Sequence, residues 1–152
     1  MSMQEPDNLS FATVPVAMLN DLPELRPSYL DVVARYGEEQ RERTFVWAVI
    51  QEVLKPYVFS LLSNPTAEHT AIARSLRFVD RLVGHPDPDV RAVATVEILY
   101  PLATRQFRTQ RERARPFMGN ATLEALHGQE DLAAHGRRRV PLLQRIVQLL
   151  RR

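Results

Sequence analysis

The four histidines are the first residues to consider for chemistry, because imidazole is a common metal ligand and general base. They are His69, His85, His127 and His135. No two of them have the HExxH spacing that places two imidazoles one helical turn apart with a glutamate between them. The chain also has no cysteine to complete a zinc site. We therefore expect no metal site and no cofactor in this protein.

Nucleophilic catalysis has no recognisable motif in this chain. Neither a GxSxG elbow nor an SxxK pair is present, and Ser60, Ser63 and Ser75 lie in predicted helices or helix caps. The five glycines are too scattered for a loop that binds phosphate. Without cysteine the chain has neither a disulfide framework nor a thiol nucleophile. The sequence therefore predicts a protein that is not an enzyme.

Two acids, Asp80 and Glu97, lie near the apolar faces of two successive predicted helices. If the two carboxyl groups approach each other, their repulsion raises the pKa of at least one of them, which is the usual basis of acid and base catalysis. The structural alternative is that each acid pairs with a nearby arginine, Arg77, Arg81 or Arg91. We favour the ion pairs.

The segment TRQFRTQRERAR, residues 104–115, places four arginines on about a third of the circumference of a helix. Such a stripe suits phosphates or an acidic protein surface, and the alternative is a solvated helix end whose arginines pair with local acids. Charge is uneven along the chain, since residues 71–152 hold fifteen bases and eight acids. The candidate partner-binding residues here are Arg105, Arg108, Arg111 and Arg115.

The element that must position all these groups is FVWAVIQEVLKPYVFSLL, from Phe45 to Leu62, which is apolar on nearly every side. A helix of this kind has to be covered by other elements. A membrane span is the alternative, but it needs about 20 uninterrupted apolar residues. Gln51, Glu52, Lys55 and Pro56 interrupt this run. We predict a buried central helix and no membrane span.

Shorter periodic segments on both sides of the central helix indicate an all-α fold, a compact helical bundle. Prolines and a glycine mark their ends. Asn64 is the expected cap of the helix that follows the central one, with Pro65 at its first position. Pro101 is expected to kink or end the next. The predicted helices are Phe11–Leu22, Pro27–Tyr36, Pro65–Val83, Asp89–Pro101 and Thr122–Leu126. The expected inward residues are Ile72, Leu76, Val79 and Val83 in the helix that ends at Val83, and Ala92, Val93, Val96, Leu99 and Tyr100 in the helix that ends at Pro101.

The predicted organisation has four parts. Residues 1–10 form a flexible tail, residues 11–126 the helical domain, residues 127–139 a linker with few apolar residues, and residues 140–152 a C-terminal amphipathic helix. The first ten residues lack the basic and apolar pattern of a signal peptide, so we expect a cytoplasmic protein.

The C-terminal segment VPLLQRIVQLLRR is the second candidate for partner binding. A helix of about 12 residues is marginal alone and needs a surface to fold on. That surface is its own domain, a second copy of the chain in a homodimer, a groove on a partner protein, or an anionic membrane. The sequence leaves these alternatives open. Its apolar candidates are Leu142, Leu143, Ile146 and Leu150.

The segment Thr66 to Leu102 resembles one unit of a HEAT-type repeat. In that family two antiparallel helices form a unit, and the second opens with an Asp, Val, Arg, Ala pattern, here HPDPDVRAVATVEIL. We find no second copy at a period of about 40 residues, and solenoids need about three units. The resemblance therefore implies a single HEAT-like antiparallel hairpin inside the bundle. The matching residues are Asp89, Val90, Arg91 and Ala94.

The order of LPELRPSYL, the central helix, the hairpin and FMGNATLEAL is similar to small uncharacterised bacterial all-helical proteins, some of them like the immunity proteins of toxin systems. This resemblance implies a protein that binds another protein, as an immunity or adaptor protein does. The expected function is thus a non-enzymatic protein-interaction module. The alternative is a nucleic-acid-binding helical protein that uses the arginine stripe together with Arg137, Arg138 and Arg139.

Overall fold

The computed structural model describes residues 8–36 and 43–135, which contain helices and no strand. The predicted all-α class is confirmed. Single 3₁₀ turns precede α1 and α2, and two others flank α6. The helices, numbered along the chain, are α1 Val14–Asp21, α2 Arg26–Tyr36, α3 Arg43–Ser63, α4 His69–Val83, α5 residues 88–103, α6 Arg108–Ala114 and α7 Asn120–His135.

Helix α3 is the predicted central helix, and it is two residues longer at its start and one at its end than the apolar run. By length and composition alone it is apolar enough to cross a membrane, with a mean hydropathy of 1.4. In this fold it is a core helix that contacts α2, α4 and α6. Its fully buried side chains include Val46, Val49, Ile50 and Leu54.

Helices α3 and α5 each contain one π turn in front of a proline. The π turns are Ile50–Leu54 and Thr95–Leu99, and Pro56 and Pro101 stand two residues after their last residues. Proline lacks an N–H group, and its ring clashes with the carbonyl four residues earlier. The wider turn makes room for the ring, and the helix continues to residues 63 and 103. Pro101 was expected to kink or end its helix, and the π turn explains why it does not end it.

The two π turns stand 45 residues apart and share a local pattern, Glu-x-Leu-x-Pro, from Glu52 to Pro56 and from Glu97 to Pro101. No second copy of the hairpin is apparent in the sequence, because the similarity is confined to this short part of its second helix.

Two ion pairs show that α3 and α5 run side by side in the same direction. Arg43 at the start of α3 pairs with Asp89 at the start of α5, at 2.7 Å. Further along both helices, Lys55 Nζ lies 3.8 Å from Glu97 Oε2. The earlier residue of α3 pairs with the earlier residue of α5, and the later residue pairs with the later one. The two helices are therefore parallel neighbours.

Helix α4 lies between α3 and α5 in the chain and joins each through a short turn. Its predicted inward residues, Ile72, Leu76, Val79 and Val83, are all buried. Each buried aliphatic side chain of this kind stabilises the fold by roughly 1.5–3 kcal/mol relative to an exposed one. The amphipathic pattern therefore predicted the face that α4 turns to the core.

The predicted boundaries differ from the structure at several positions. Helix α4 begins at His69 rather than Pro65, because Asn64 Oδ1 accepts the N–H of Thr66 and stabilises a turn there. Leu9, in the predicted tail, is buried. The largest difference is at α7, which continues to His135 where the sequence predicted a linker from residue 127.

The predicted helix of residues 140–152 lies outside the described residues, as do residues 136–139 of the predicted linker. The structure therefore does not test the assignment of Leu142, Leu143, Ile146 and Leu150 to partner binding.

Candidate functional site

The arginine stripe of residues 105–115 divides into two halves in the structure. Arg105 and Arg108 are exposed. Arg111 is half-buried, and its guanidinium donates to the carbonyl oxygens of Leu102 and Thr104, each at 3.0 Å. The stripe therefore faces solvent only at its beginning.

The other half of the stripe makes contacts inside the fold. Arg115 donates to Glu130 at 2.6 Å and to Glu112 at 3.3 Å. Burial disfavours the charged guanidinium, but these two carboxylates outweigh it and raise the pKa of Arg115. Since Arg111 and Arg115 already have partners, the four arginines do not form one free phosphate-binding surface.

A fifth arginine, Arg113, has a role that the stripe pattern did not predict. Its guanidinium donates to the carbonyl oxygens of Leu62 and Asn64 at the end of α3. Arg111 does the same at the end of α5. Cations at helix C-termini satisfy the last carbonyl groups and oppose the negative end of the helix dipole. Helix α6 thus caps the C-terminal ends of α3 and α5, the two helices that contain a π turn.

Asp80 and Glu97 were the two acids singled out in the sequence. Asp80 accepts the Gly119 N–H with both carboxylate oxygens, at 3.1 Å each, just before α7 begins. A Cβ on residue 119 would lie 3.3 Å from Asp80 Oδ2, so this approach favours glycine. The recorded contact of Asp80 is thus with a backbone N–H, whereas an arginine partner was expected.

Glu97 does form an ion pair, but with Lys55 instead of Arg77, Arg81 or Arg91. Its side chain is only 16% exposed, and the Lys55 ammonium is too far away, at 3.8 Å, for a short hydrogen bond. Burial raises the pKa of Glu97, and Lys55 lowers it only in part. Glu97 is therefore a poorly compensated carboxylate next to the protein surface.

Two large apolar side chains are exposed beside Glu97. Val96 is 52% exposed, and Tyr100, four residues later on the same side of α5, is 45% exposed. Tyr100 was predicted to be a core residue, and the structure places it at the surface. We call the four residues Lys55, Val96, Glu97 and Tyr100 the π-turn face, since all of them lie in or directly after a π turn.

A second polar cluster forms around Tyr57 in the last third of α3. Tyr57 donates to Glu24 Oε1 at 2.7 Å, and Arg74 donates to both Glu24 oxygens, at 2.8 and 3.3 Å. Burial opposes ionisation of Glu24, but the hydrogen bonds and the Arg74 charge outweigh it and lower its pKa. Burial, together with the bond to Glu24, raises the pKa of Tyr57 to about 12. This saturated cluster joins the 3₁₀ turn before α2 to α3 and α4.

The histidines lie apart from one another and from the π-turn face. The His85 ring bonds to Leu9 O at 2.7 Å and accepts the N–H of Asp87. His69 packs edge-on against Phe117 with ring centroids 5.7 Å apart. His127 and His135 are on α7. Among residues 8–36 and 43–135 no group of three potential ligands is close enough to hold a metal ion.

The π-turn face could not be recognised from a regular helical period. Val96 and Tyr100 were assigned to the core because α5 was read with a regular helical period. A π turn inserts one extra residue and rotates the following side chains around the helix. The repeated Glu-x-Leu-x-Pro pattern was the available signal.

The comparisons with known proteins give a family and no activity. Searches against curated proteins and against solved structures returned no significant match. One family model, described as a domain of unknown function, matches residues 16–133. This span includes α2 to α6, both π turns and almost all of α7. The chain therefore belongs to the DUF7674 family of domains of unknown function.

Proposed function

We propose that this protein is a non-enzymatic protein-interaction module that binds its partner through the π-turn face. The observation that carries the proposal is the exposure of Val96 and Tyr100 directly beside the under-compensated carboxylate of Glu97. Neighbouring aromatic and aliphatic groups with a polar rim are the usual centre of a protein interface. In this reading α4 and α5 act as a HEAT-like hairpin, and the partner lies across α5 and α3.

The chemistry of the π-turn face indicates which types of side chain the partner surface carries. An apolar side chain placed between Val96 and Tyr100 removes both from water. A basic side chain next to Glu97 supplies the compensation that Lys55 gives only in part. The partner surface is therefore apolar with a cationic edge. The module works as an immunity or adaptor protein does, by binding another protein.

The nucleic-acid alternative receives less support from the geometry. Arg111 and Arg115, two of its four arginines, donate to carbonyl and carboxylate oxygens within the fold. Arg105 and Arg108 are left for phosphate contacts, and two contacts predict a weak salt dependence, with a log-log slope near −2 on duplex DNA. A slope of about −4 would require further arginines, from the stripe or from Arg137 to Arg139, and would favour the alternative.

The test compares capture by the wild-type chain with capture by variants of the exposed residues. The variants Val96→Asp and Tyr100→Asp place a charge on the face without disturbing the core. The matched controls Val16→Asp and Leu30→Asp change residues with a similar exposure, 58% and 52%, on α1 and α2. Each immobilised chain is incubated with native lysate, and the captured proteins are quantified by mass spectrometry.

The expected result is one protein captured at near-stoichiometric yield by the wild type and by both controls. We expect the face variants to lose at least about tenfold of that yield, as is typical of residues at an interface centre. No stoichiometric partner, or equal loss in the controls, would contradict the proposal.

A further inference from the structure

The π-turn face carries one positive and one negative charge. Glu97 is the one charged residue among residues 92–103 of α5, and Lys55 is the one charged residue among residues 53–63 of α3. Lys55 Nζ and Glu97 Oε2 are 3.8 Å apart. The second halves of the two helices therefore present one base and one acid, with no net charge, beside two exposed apolar side chains. Such a surface is complementary to a second copy of itself.

Both charges of the face have to be satisfied by whatever covers it. A basic group placed beside Glu97 also approaches the Lys55 ammonium, because the two charges are close together. Like charges brought together at an interface weaken binding. The best-matched surface therefore offers an acid to Lys55 as well as a base to Glu97. A second copy of this chain offers both.

We propose that the π-turn face pairs with the π-turn face of a second copy of this chain, in a twofold-symmetric homodimer that the protein partner displaces. An interface between two identical surfaces closes after two copies, so the association stops at a dimer. This inference rests on the proposed function in one respect, since both take the π-turn face as the binding surface.

An antiparallel pair of α5 helices aligns the apolar side chains. With the twofold axis at residue 98, Val96 lies opposite Tyr100 of the second copy, because each is two residues from the axis. The symmetry repeats this contact, so two Val–Tyr pairs are removed from water. In the monomer Val96 is 52% exposed and Tyr100 is 45% exposed. Their burial is the apolar contribution to the dimer.

The same axis brings the charges of the two copies together. Glu97 is one residue from the axis, and Lys55 lies beside it, so two carboxylates and two ammonium groups meet there. Each Glu97 then has an ammonium group from both copies. In the monomer its side chain is 16% exposed and has Lys55 alone at 3.8 Å. The dimer thus supplies the compensation that Glu97 lacks in the monomer.

The size of the face makes this dimer weak. Stable interfaces contain roughly 20–30 residues on each side, whereas the π-turn face has four. We expect a dissociation constant on the order of 100 µM. A weak homodimer covers Val96 and Tyr100 while the partner is absent and gives way to a larger interface.

Sedimentation equilibrium of the full chain tests the proposal at concentrations from about 10 µM to about 1 mM. The wild type should pass from monomer to dimer. Lys55→Glu places four acids at the axis and Glu97→Lys places four bases there, so each should raise the dissociation constant at least about tenfold. The control Leu30→Asp, which changes an exposed residue on α2, should leave it unchanged.

Mixing the two charge variants separates lost pairing from lost structure. Each should be monomeric alone, but an equimolar mixture should form heterodimers, because one chain brings two acids and the other two bases. Circular dichroism checks the fold of each variant. If one of them does not fold, Tyr100→Asp replaces it, with the same tenfold loss expected. The proposal is overturned by a wild type that is monomeric at about 1 mM, by a dimer that the variants do not weaken, or by a mixture of folded variants that stays monomeric.

Capture from lysate distinguishes failure of this inference from failure of the proposed function. If the wild type is monomeric and captures a partner that Tyr100→Asp loses, the homodimer is wrong and the proposed function stands. If the wild type dimerises through this face and captures no other protein, the proposed function is wrong and the homodimer stands.

Discussion

Helices α3 and α5 carry the same five-residue pattern and the same π turn, but their glutamates have different surroundings. Glu52 accepts a hydrogen bond from Arg35 at 2.5 Å, on a side chain that is 31% exposed. Glu97 is 16% exposed and has Lys55 at 3.8 Å. The residue after each π turn differs too, since position 55 is a half-buried lysine and position 100 an exposed tyrosine.

The comparison separates what a local pattern determines from what its neighbours determine. The proline and the π turn set the path of the backbone, because the missing N–H group and the ring act within one helix. Whether the side chains that flank the turn are buried depends on the neighbouring helices. Helix α3 is covered by α2, α4 and α6, whereas α5 leaves Val96 and Tyr100 uncovered. The same motif is therefore structural in α3 and available for binding in α5.

The largest expected effects test whether both π turns are equally important to the core. Leu54 and Leu99 occupy equivalent positions and are both fully buried. We expect Leu54→Ala and Leu99→Ala each to lower the free energy of unfolding by about 2–5 kcal/mol. Urea denaturation followed by the fluorescence of Trp47, the single tryptophan, measures both. If either variant lowers the free energy of unfolding by less than about 1 kcal/mol, the two π turns are not equally important to the core.

Much of the fold was predictable because it depends on periodicity. The apolar run from Phe45 to Leu62 predicted α3, and the inward residues of α4 were correct, since a one-sided apolar pattern on a regular helix has one way to face the core. Helix α7 was underestimated because Gly128 was read as part of a linker. Asp80 supports the start of α7 through the Gly119 N–H, 39 residues further along the chain, and no local pattern shows that contact.

The candidate site was predictable only in part, for a similar reason. The types and spacing of the arginines were visible in the sequence, but the carbonyl groups that Arg111 and Arg113 bond to are exposed only where α5 and α3 end. The pairing of Lys55 with Glu97 depends on two parallel helices lying side by side. A sequence period describes one helix and does not specify its neighbour.

The polar cluster of Glu24, Tyr57 and Arg74 gives the next effect. We expect Glu24→Gln to lower stability at pH 7 by roughly 0.5–1 kcal/mol, since Glu24 is partly exposed and its bonds to Tyr57 and Arg74 are charge-assisted. The pKa of Glu24 is lowered in the folded protein, so the wild-type advantage is complete above its unfolded value of 4.5 and is lost as the pH falls through the folded pKa. Urea denaturation at pH 7 and pH 3 measures the difference. An advantage that grows toward acid pH would contradict it.

The two glutamates of the shared pattern should respond in opposite directions. Burial raises the pKa of Glu97, so its ionised form costs stability at pH 7, and Glu97→Gln should raise the free energy of unfolding by less than about 1 kcal/mol. This gain is present above the folded pKa and disappears below the unfolded value of 4.5, where the carboxyl group is neutral in both states. The matched variant Glu52→Gln removes the pair with Arg35 and should lower stability by about 0.2–1 kcal/mol. Urea denaturation at pH 7 and pH 4 measures both variants, and equal signs at pH 7 would show that the two turns have the same electrostatics.

The smallest effect is expected where α3 and α5 begin. The Arg43 side chain is 68% exposed and that of Asp89 is 51% exposed, so their 2.7 Å pair is surrounded by water. We expect Arg43→Ala to lower stability by less than about 0.5 kcal/mol, with the difference vanishing in 1 M salt because screening weakens exposed pairs. Urea denaturation at low and high salt provides the measurement, with Arg26→Ala on α2, also exposed, as the matched control. A loss of 2 kcal/mol or more that persists in salt would mean that this pair sets the alignment of the two helices, and their parallel packing would then depend on charge as well as on the core.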